Sequence, residues 1–297
     1  MHLSQIIKAI PGAVPLKRKV YSACGWDDLD RGMTSINILK TFPQYKPCSA
    51  GTYQDRANLT IETINGLFAS FQFLLETLEN KACPEIAQLK SPEKFAADND
   101  SLESAEELKK LFDAYGSDKA RTHNYHLIYG SILNDRNKIE SILEIGLGTN
   151  NTDIVSTMGK CGKPGASLRA FRDFCPKASI IGADIDSRVL FREERIKTFE
   201  VDQTSRQSVN DLQSKIFQKV DLLIDDGLHS PDANINTIAM GINIVNSGGW
   251  IVIEDIGLNA LPIWHIVKEV MQWYSWDCTL FKTRNALLFA ARKPLSQ

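Results

Sequence analysis

Residues 141–186 read SILEIGLGTNNTDIVSTMGKCGKPGASLRAFRDFCPKASIIGADID. An apolar run, Ile142–Ile145, breaks at Gly146-Leu147-Gly148, crosses a polar loop into a helix-like segment, and returns through Ala178–Ala183 to carboxylates at Asp184 and Asp186. Strand, glycine turn, helix, then a strand ending in a carboxylate is the front half of a nucleotide-binding α/β unit. Glycines let the backbone approach a ligand, and an acidic residue at the second strand's end accepts hydrogen bonds from a ribose diol.

Working outward, apolar runs and helical patterns alternate from Lys138 onward. The pattern predicts strands at 140–145, 178–184, 195–201, 219–225 and 249–254, with helices at 165–175, 205–217 and 232–246 between them. A further helix at 261–274 precedes two closing strands, 276–283 and 286–292, read as an antiparallel hairpin turning at Arg284-Asn285. Short apolar strands of this kind belong to a parallel sheet covered by helices on both faces. Upstream, a short helix is predicted with Ser104 as its N-cap and Glu107 in the capping-box position, ending at Tyr115-Gly116. The polar stretch 84–103 reads as a linker, which divides the chain into an N-terminal region, 1–103, and a main domain, 104–297. Within the first region 1–55 shows no sustained period, while 58–80 is an amphipathic helix suited to packing on the body or on a partner subunit.

Composition narrows the function. A formal net charge of −2 over 297 residues argues against a general nucleic-acid binder. The six cysteines form no CxxC pair and read as reduced thiols rather than a disulfide frame or zinc site. No apolar run approaches transmembrane length, and Lys8, Pro11 and Pro15 interrupt any signal-peptide core, so no membrane association and a cytoplasmic location are expected.

The chemistry lies at the strand ends, which share one edge of a parallel sheet. A dinucleotide site prefers GxGxxG, but here the third glycine position is Asn151 and Glu144 precedes the turn. A carboxylate before Gly146 and Gly148 suits a cofactor with a cationic part better than a pyrophosphate, which seeks bare N–H groups and positive charge. Asp184 is then a candidate ribose contact, and Asp202 and Gln203 are candidates for an exocyclic amine and an adenine edge. Asp202 or Thr204 as a helix cap is the plain alternative. The next two strands end in Asp225-Asp226-Gly227-Leu228-His229 and Glu254-Asp255. Acidic pairs at successive strand ends repel one another unless a cation compensates, and oxygen ligands of this type suit Mg²⁺ before Ca²⁺ or Mn²⁺. His229, beside that cation, is placed to take a proton from an alcohol. The segment GSDKARTHNYH, 116–126, is dense in polar and aromatic groups, and it reads equally as a capping loop or as a cover over a ligand.

LEIGLGT (143–149), GASLRAFRDFCP (165–176), IIGADID (180–186), DDGLH (225–229) and IVIED (251–255) together resemble class I S-adenosylmethionine-dependent methyltransferases. More narrowly they resemble the metal-dependent, macrocin-type sugar O-methyltransferases, and 116–126 is similar to a segment ahead of that family's core. The resemblance spans about 105–292 and implies a Rossmann-like, mostly parallel seven-stranded sheet with an antiparallel last strand. It implies that Glu144, Gly146, Asp184 and Asp202 hold S-adenosylmethionine, with Ser167 near the methionine end. It further implies Asp226, Glu254 and Asp255 as Mg²⁺ ligands, His229 as general base, and a sugar or glycosylated acceptor. The chain departs from the family at Leu228, where Ser is usual, at Asn234, where a second His is common, and in the longer stretch 150–164. A mainly helical N-terminal region serving homo-oligomerisation or roofing the acceptor completes the expectation. A catechol-type acceptor, a nicotinamide oxidoreductase and a cofactor-binding scaffold are the alternatives.

Overall fold

β1, Ser141–Ile145, is buried along its whole length, and its side chains alternate between two separate cores. Ile142 joins one core while Leu143 and Ile145 join the other, the two-residue period of a strand covered on both faces. The structure, a computed structural model, describes residues 89–295. The predicted helix 58–80 and the aperiodic 1–55 lie outside them.

β1 pairs in parallel with β2 (Ser179–Asp184) on one side and with β5 (Val220–Asp225) on the other. β4 (Ile196–Glu200) continues the parallel sheet beyond β2, and β6 (Val245–Ile256) continues it beyond β5. β8 (Leu287–Arg292) then runs antiparallel between β6 and β7 (Asp277–Lys282). The described sheet has eight strands in the order β3-β4-β2-β1-β5-β6-β8-β7, one more than predicted. The additional strand is Arg192–Glu193, β3, which turns back on β4 through Arg195 at φ 58°. Two polar residues carry no hydrophobic period, so the sequence pattern has nothing to register there.

Helices cover both faces. α1 (Pro92–Phe95), α2 (Asn99–Tyr115), α3 (His126–Ile132) and α4 (Ala166–Phe174) precede or follow β1. α5 (Arg206–Lys215), α6 (Pro231–Ile244) and α7 (Leu261–Trp273) follow the later strands. Phe171 of α4 fixes one side by meeting Phe112 and Tyr129 edge-on, with centroids 5.3 Å away in each case. α2 begins earlier than predicted: Asp98, not Ser104, is the N-cap, its carboxylate accepting the Ser101 N–H at 2.8 Å. Residues 99–103, read as the end of a linker, are therefore its first turn. Gly116 in the left-handed region, φ 79°, closes the helix as the sequence predicts. Among the described residues no helix is long and apolar enough to cross a membrane.

Candidate active site

The C-terminal ends of β1, β2, β5 and β6 open onto a cavity of about 480 Å³ lined by the glycine turn, the 116–125 segment, residues 153–158 and the DDGLH loop. Backbone bonds stitch this edge together. Gly146 N–H donates to the Ala183 carbonyl (2.8 Å) and Asp226 N–H to the Ile145 carbonyl (2.7 Å). Gly146 has φ 99°, and a Cβ there would stand 2.0 Å from the Asp226 carbonyl oxygen, so the turn closes against the acidic loop only without a side chain. Gly148, φ 76°, continues the turn in the left-handed region.

The cofactor candidates gather here with different degrees of freedom. Glu144 is fully buried, and its Oε2 accepts from Ser167 Oγ at 2.7 Å, which brings those two predicted residues together. Burial pushes its carboxyl above the usual range, opposed by Lys119. Asp184 receives the N–H groups of Leu147 and Asp186, both at 2.8 Å, and so holds the glycine turn in shape. Asp186 accepts from Thr149, Asn151 and Arg188. Asp202 is half-buried and accepts locally from Thr204 through Oδ1, whereas the cap of α5 is Ser205. Gln203 lines the cavity and also pins the loop after β5: its amide nitrogen donates to Asp225 (2.8 Å) and Thr237 (2.9 Å), and its oxygen accepts Leu228 N–H (3.0 Å).

Across the cavity, Asp226, His229 and Asp255 each offer one ligand atom, and these atoms all lie within 4.8 Å of one another. His229 and Asp255 both hold left-handed backbones, φ 59° and 52°, which for non-glycine residues is stored strain. The β6–β8 register shifts between Ile253 and Ile256, so the Glu254-Asp255 pair sits in an irregularity of the ladder, where a strand re-aims its side chains. Tyr125 OH donates to Asp255 Oδ1 at 2.5 Å, and His123 stacks on Tyr125 (4.9 Å) with its Nδ1 3.3 Å from the same oxygen.

Glu254, a predicted ligand, is not in this group. Its Oε1 accepts from Tyr129 OH and its Oε2 from Lys119 Nζ at 2.5 Å. Lys119 Nζ also lies 2.6 Å from Asp226 Oδ2 and 3.1 Å from Glu144 Oε1, so one buried ammonium joins the cofactor half of the cavity to the acidic half. Burial alone lowers a lysine, but Asp226, Glu254 and Glu144 outweigh it and hold Lys119 charged. Lys119, His123, Tyr125 and Tyr129 are the residues that sequence reasoning did not single out. For Lys119, His123 and Tyr125 the signal was the density of polar and aromatic groups in 116–126, which carries no period and so does not say which group turns inward; Tyr129 lies beyond that segment.

The donor set fits a hard divalent cation. Three carboxylates (Glu144, Asp226, Glu254) share the Lys119 ammonium and a fourth, Asp255, offers an oxygen within 4.8 Å of one on Asp226, a surplus of oxygen donors over fixed positive charge. The same acidity suits a sulfonium cofactor beside the glycine turn.

A mostly parallel sheet with a glycine turn after β1 and an antiparallel strand inserted beside β6 is the class I methyltransferase fold. No protein-family model matches the chain. It is similar to the 8-demethyl-8-alpha-L-rhamnosyl tetracenomycin-C 2'-O-methyltransferase of Streptomyces olivaceus, 28% identical over 149 residues, which is 50% of this chain and 37% of that protein. It is also similar to the mycinamicin VI 2''-O-methyltransferase of Micromonospora griseorubida, 33% identical over 122 residues, 41% of this chain and 28% of that protein. Among solved structures, the MycE methyltransferase from the mycinamycin biosynthetic pathway, in complex with Mg and SAH, matches with TM-score 0.52 and 25% identity, over 63% of this chain and 55% of that one. The match thus spans 37% of the length of the first curated relative and 28% of the second.

Proposed function

We propose that the protein is a divalent-metal-dependent O-methyltransferase that moves the methyl group of S-adenosylmethionine to a hydroxyl of a glycosylated small molecule. One observation carries this reading: the glycine turn with Ser167, Asp184 and Asp202, and the Asp226–His229–Asp255 group, line the same cavity. The relatives' sugar acceptors support the substrate class, and the net charge of −2 is consistent with an acceptor other than a nucleic acid. Asp226 and Asp255 would hold the ion, with Glu254 as the third carboxylate of that edge, and Glu144, Gly146, Gly148, Ser167, Asp184 and Asp202 would frame the cofactor. When bound, the cofactor supplies an electrophilic methyl group and the ion supplies Lewis acidity toward the acceptor hydroxyl.

The chain's own residues supply the rest. His229 Nε2, 3.9 Å from Asp255 Oδ2, takes the hydroxyl proton, and the neighbouring carboxylate stabilises the imidazolium that results. The Tyr125 hydroxyl fixes Asp255 through its Oδ1, with His123 stacked on the Tyr125 ring. Transfer to the acceptor oxygen then depends chiefly on in-line positioning by the cavity walls. The N-terminal region would complete the acceptor side or an oligomer contact, in a cytoplasmic enzyme.

The test is incubation with S-adenosylmethionine, Mg²⁺ and glycosides carrying adjacent free sugar hydroxyls, followed by mass spectrometry. A methyl gain abolished by chelator is expected. S-Adenosylhomocysteine binding with no metal-dependent transfer to any glycoside or catechol would discard the mechanism, and no product binding at all would discard the reading.

A further inference from the structure

Both oxygens of Glu254 are taken: Oε1 by the Tyr129 hydroxyl and Oε2 by the Lys119 ammonium. Asp226 shares one of its oxygens with the same ammonium, at 2.6 Å. A small divalent ion demands carboxylate oxygens at roughly 2.0–2.1 Å and tolerates no second cation on the same lone pairs. The tyrosine hydroxyl leaves Oε1 a lone pair for an ion, but the ammonium shared by Glu254 Oε2 and Asp226 Oδ2 repels one, so of the two partners it is the one an ion has to displace.

The partners differ in how readily they move. Tyr129 is fully buried in α3 and wedged edge-on against Phe171, so its ring is held by the core. Lys119 projects from the turn segment between α2 and α3 on a four-carbon stem with several rotatable bonds. It also lines the cavity, so its head has somewhere to go. Asp255, which has no bond to the ammonium, offers a ligand oxygen within 4.8 Å of those of Asp226 and His229 and gives an entering ion a first foothold.

Resting on the metal-dependent reading above, we propose that Lys119 is a resident counter-cation that competes with the divalent ion for Glu254 and Asp226, so that full loading of the site requires its side chain to withdraw. Because the same ammonium reaches Glu144, the displacement couples cation loading to the cofactor end of the cavity. Lys119 is in this sense a positioning residue: it holds three carboxylates together until the ion replaces it.

The experiment is a Mn²⁺ titration of the full chain, read by electron paramagnetic resonance, for the wild type, Lys119→Met and Lys119→Gln. Circular dichroism checks that each variant is folded. The glutamine amide still donates to two carboxylates, so Lys119→Gln serves where the methionine variant fails to fold. Removing a competing charge tightens Mn²⁺ binding by on the order of tenfold, whereas loss of a merely structural residue weakens it or leaves it unchanged. A folded variant with unchanged or weaker affinity overturns the proposal while leaving the methyltransferase reading intact. Mn²⁺ uptake by the variants alone supports the competition in its strongest form. No Mn²⁺ uptake by any of the three proteins overturns both.

Discussion

At the scale of single residues, the strained backbones at His229 and Asp255 mark where geometry has been favoured over local stability. If His229 Nε2 is the base, His229→Ala lowers kcat by about 10²- to 10⁴-fold and leaves S-adenosylhomocysteine affinity near wild type, because the imidazole faces Asp255 rather than the residues of the glycine turn. Isothermal titration beside steady-state kinetics separates the two, and near-normal kcat would remove the assignment. A second histidine acts on stability. His126, at the start of α3, is buried, its Nδ1 lacks a hydrogen-bond partner, and its pKa is lowered to about 4, first by burial and then by Lys109 and Arg284, against Glu106 and Asp113. The unfolded chain therefore binds a proton that the folded chain refuses between about pH 6.5 and 4. Stability falls as pH drops through that window, and His126→Asn flattens that part of the pH dependence in thermal melts.

At the scale of elements, the glycine turn is where β1, β2 and β5 become one edge. Gly146→Ala forces a Cβ to 2.0 Å from the Asp226 carbonyl at a φ that L-residues avoid, so the loop after β5 must shift. We expect a lower melting temperature together with loss of both cofactor and metal binding. A variant that lost only one of these would show that the two halves are independent. Most of these elements were legible beforehand, because buried parallel strands are apolar runs bounded by turns, as in 141–145 and 220–225. The start of α2 was less legible, since Asp98 and Ser104 both suit an N-cap and only the Asp98–Ser101 bond distinguishes them. At the site, strand-end carboxylates were visible from their spacing along the chain. Lys119 was not, because its three partners lie 25, 107 and 135 positions away in sequence. The bonds of Gln203 to Asp225, Thr237 and Leu228 were hidden for a similar reason: a polar residue at a strand end does not reveal its distant partners.

At the scale of the whole molecule, the sheet separates two cores and carries the site on one edge, so ligands act on stability through strands common to both cores. A ligand that binds only the folded state stabilises it by about 2.7 kcal/mol at a hundred times its dissociation constant, which in a domain of this size is roughly 5–10 °C in Tm. Product bound at the glycine turn engages the ends of β1 and β2, whereas a divalent ion at Asp226 and Asp255 engages those of β5 and β6. Each is expected to raise Tm alone, and together they raise it by at least the sum, because Lys119 leaving Glu254 also frees Glu144. Asp255→Asn should abolish the Mg²⁺ increment and keep the S-adenosylhomocysteine increment. Scanning calorimetry with each ligand singly and together, on wild type and variant, gives all the terms of that cycle. A Mg²⁺ increment that survives in Asp255→Asn would place the ion elsewhere in the molecule.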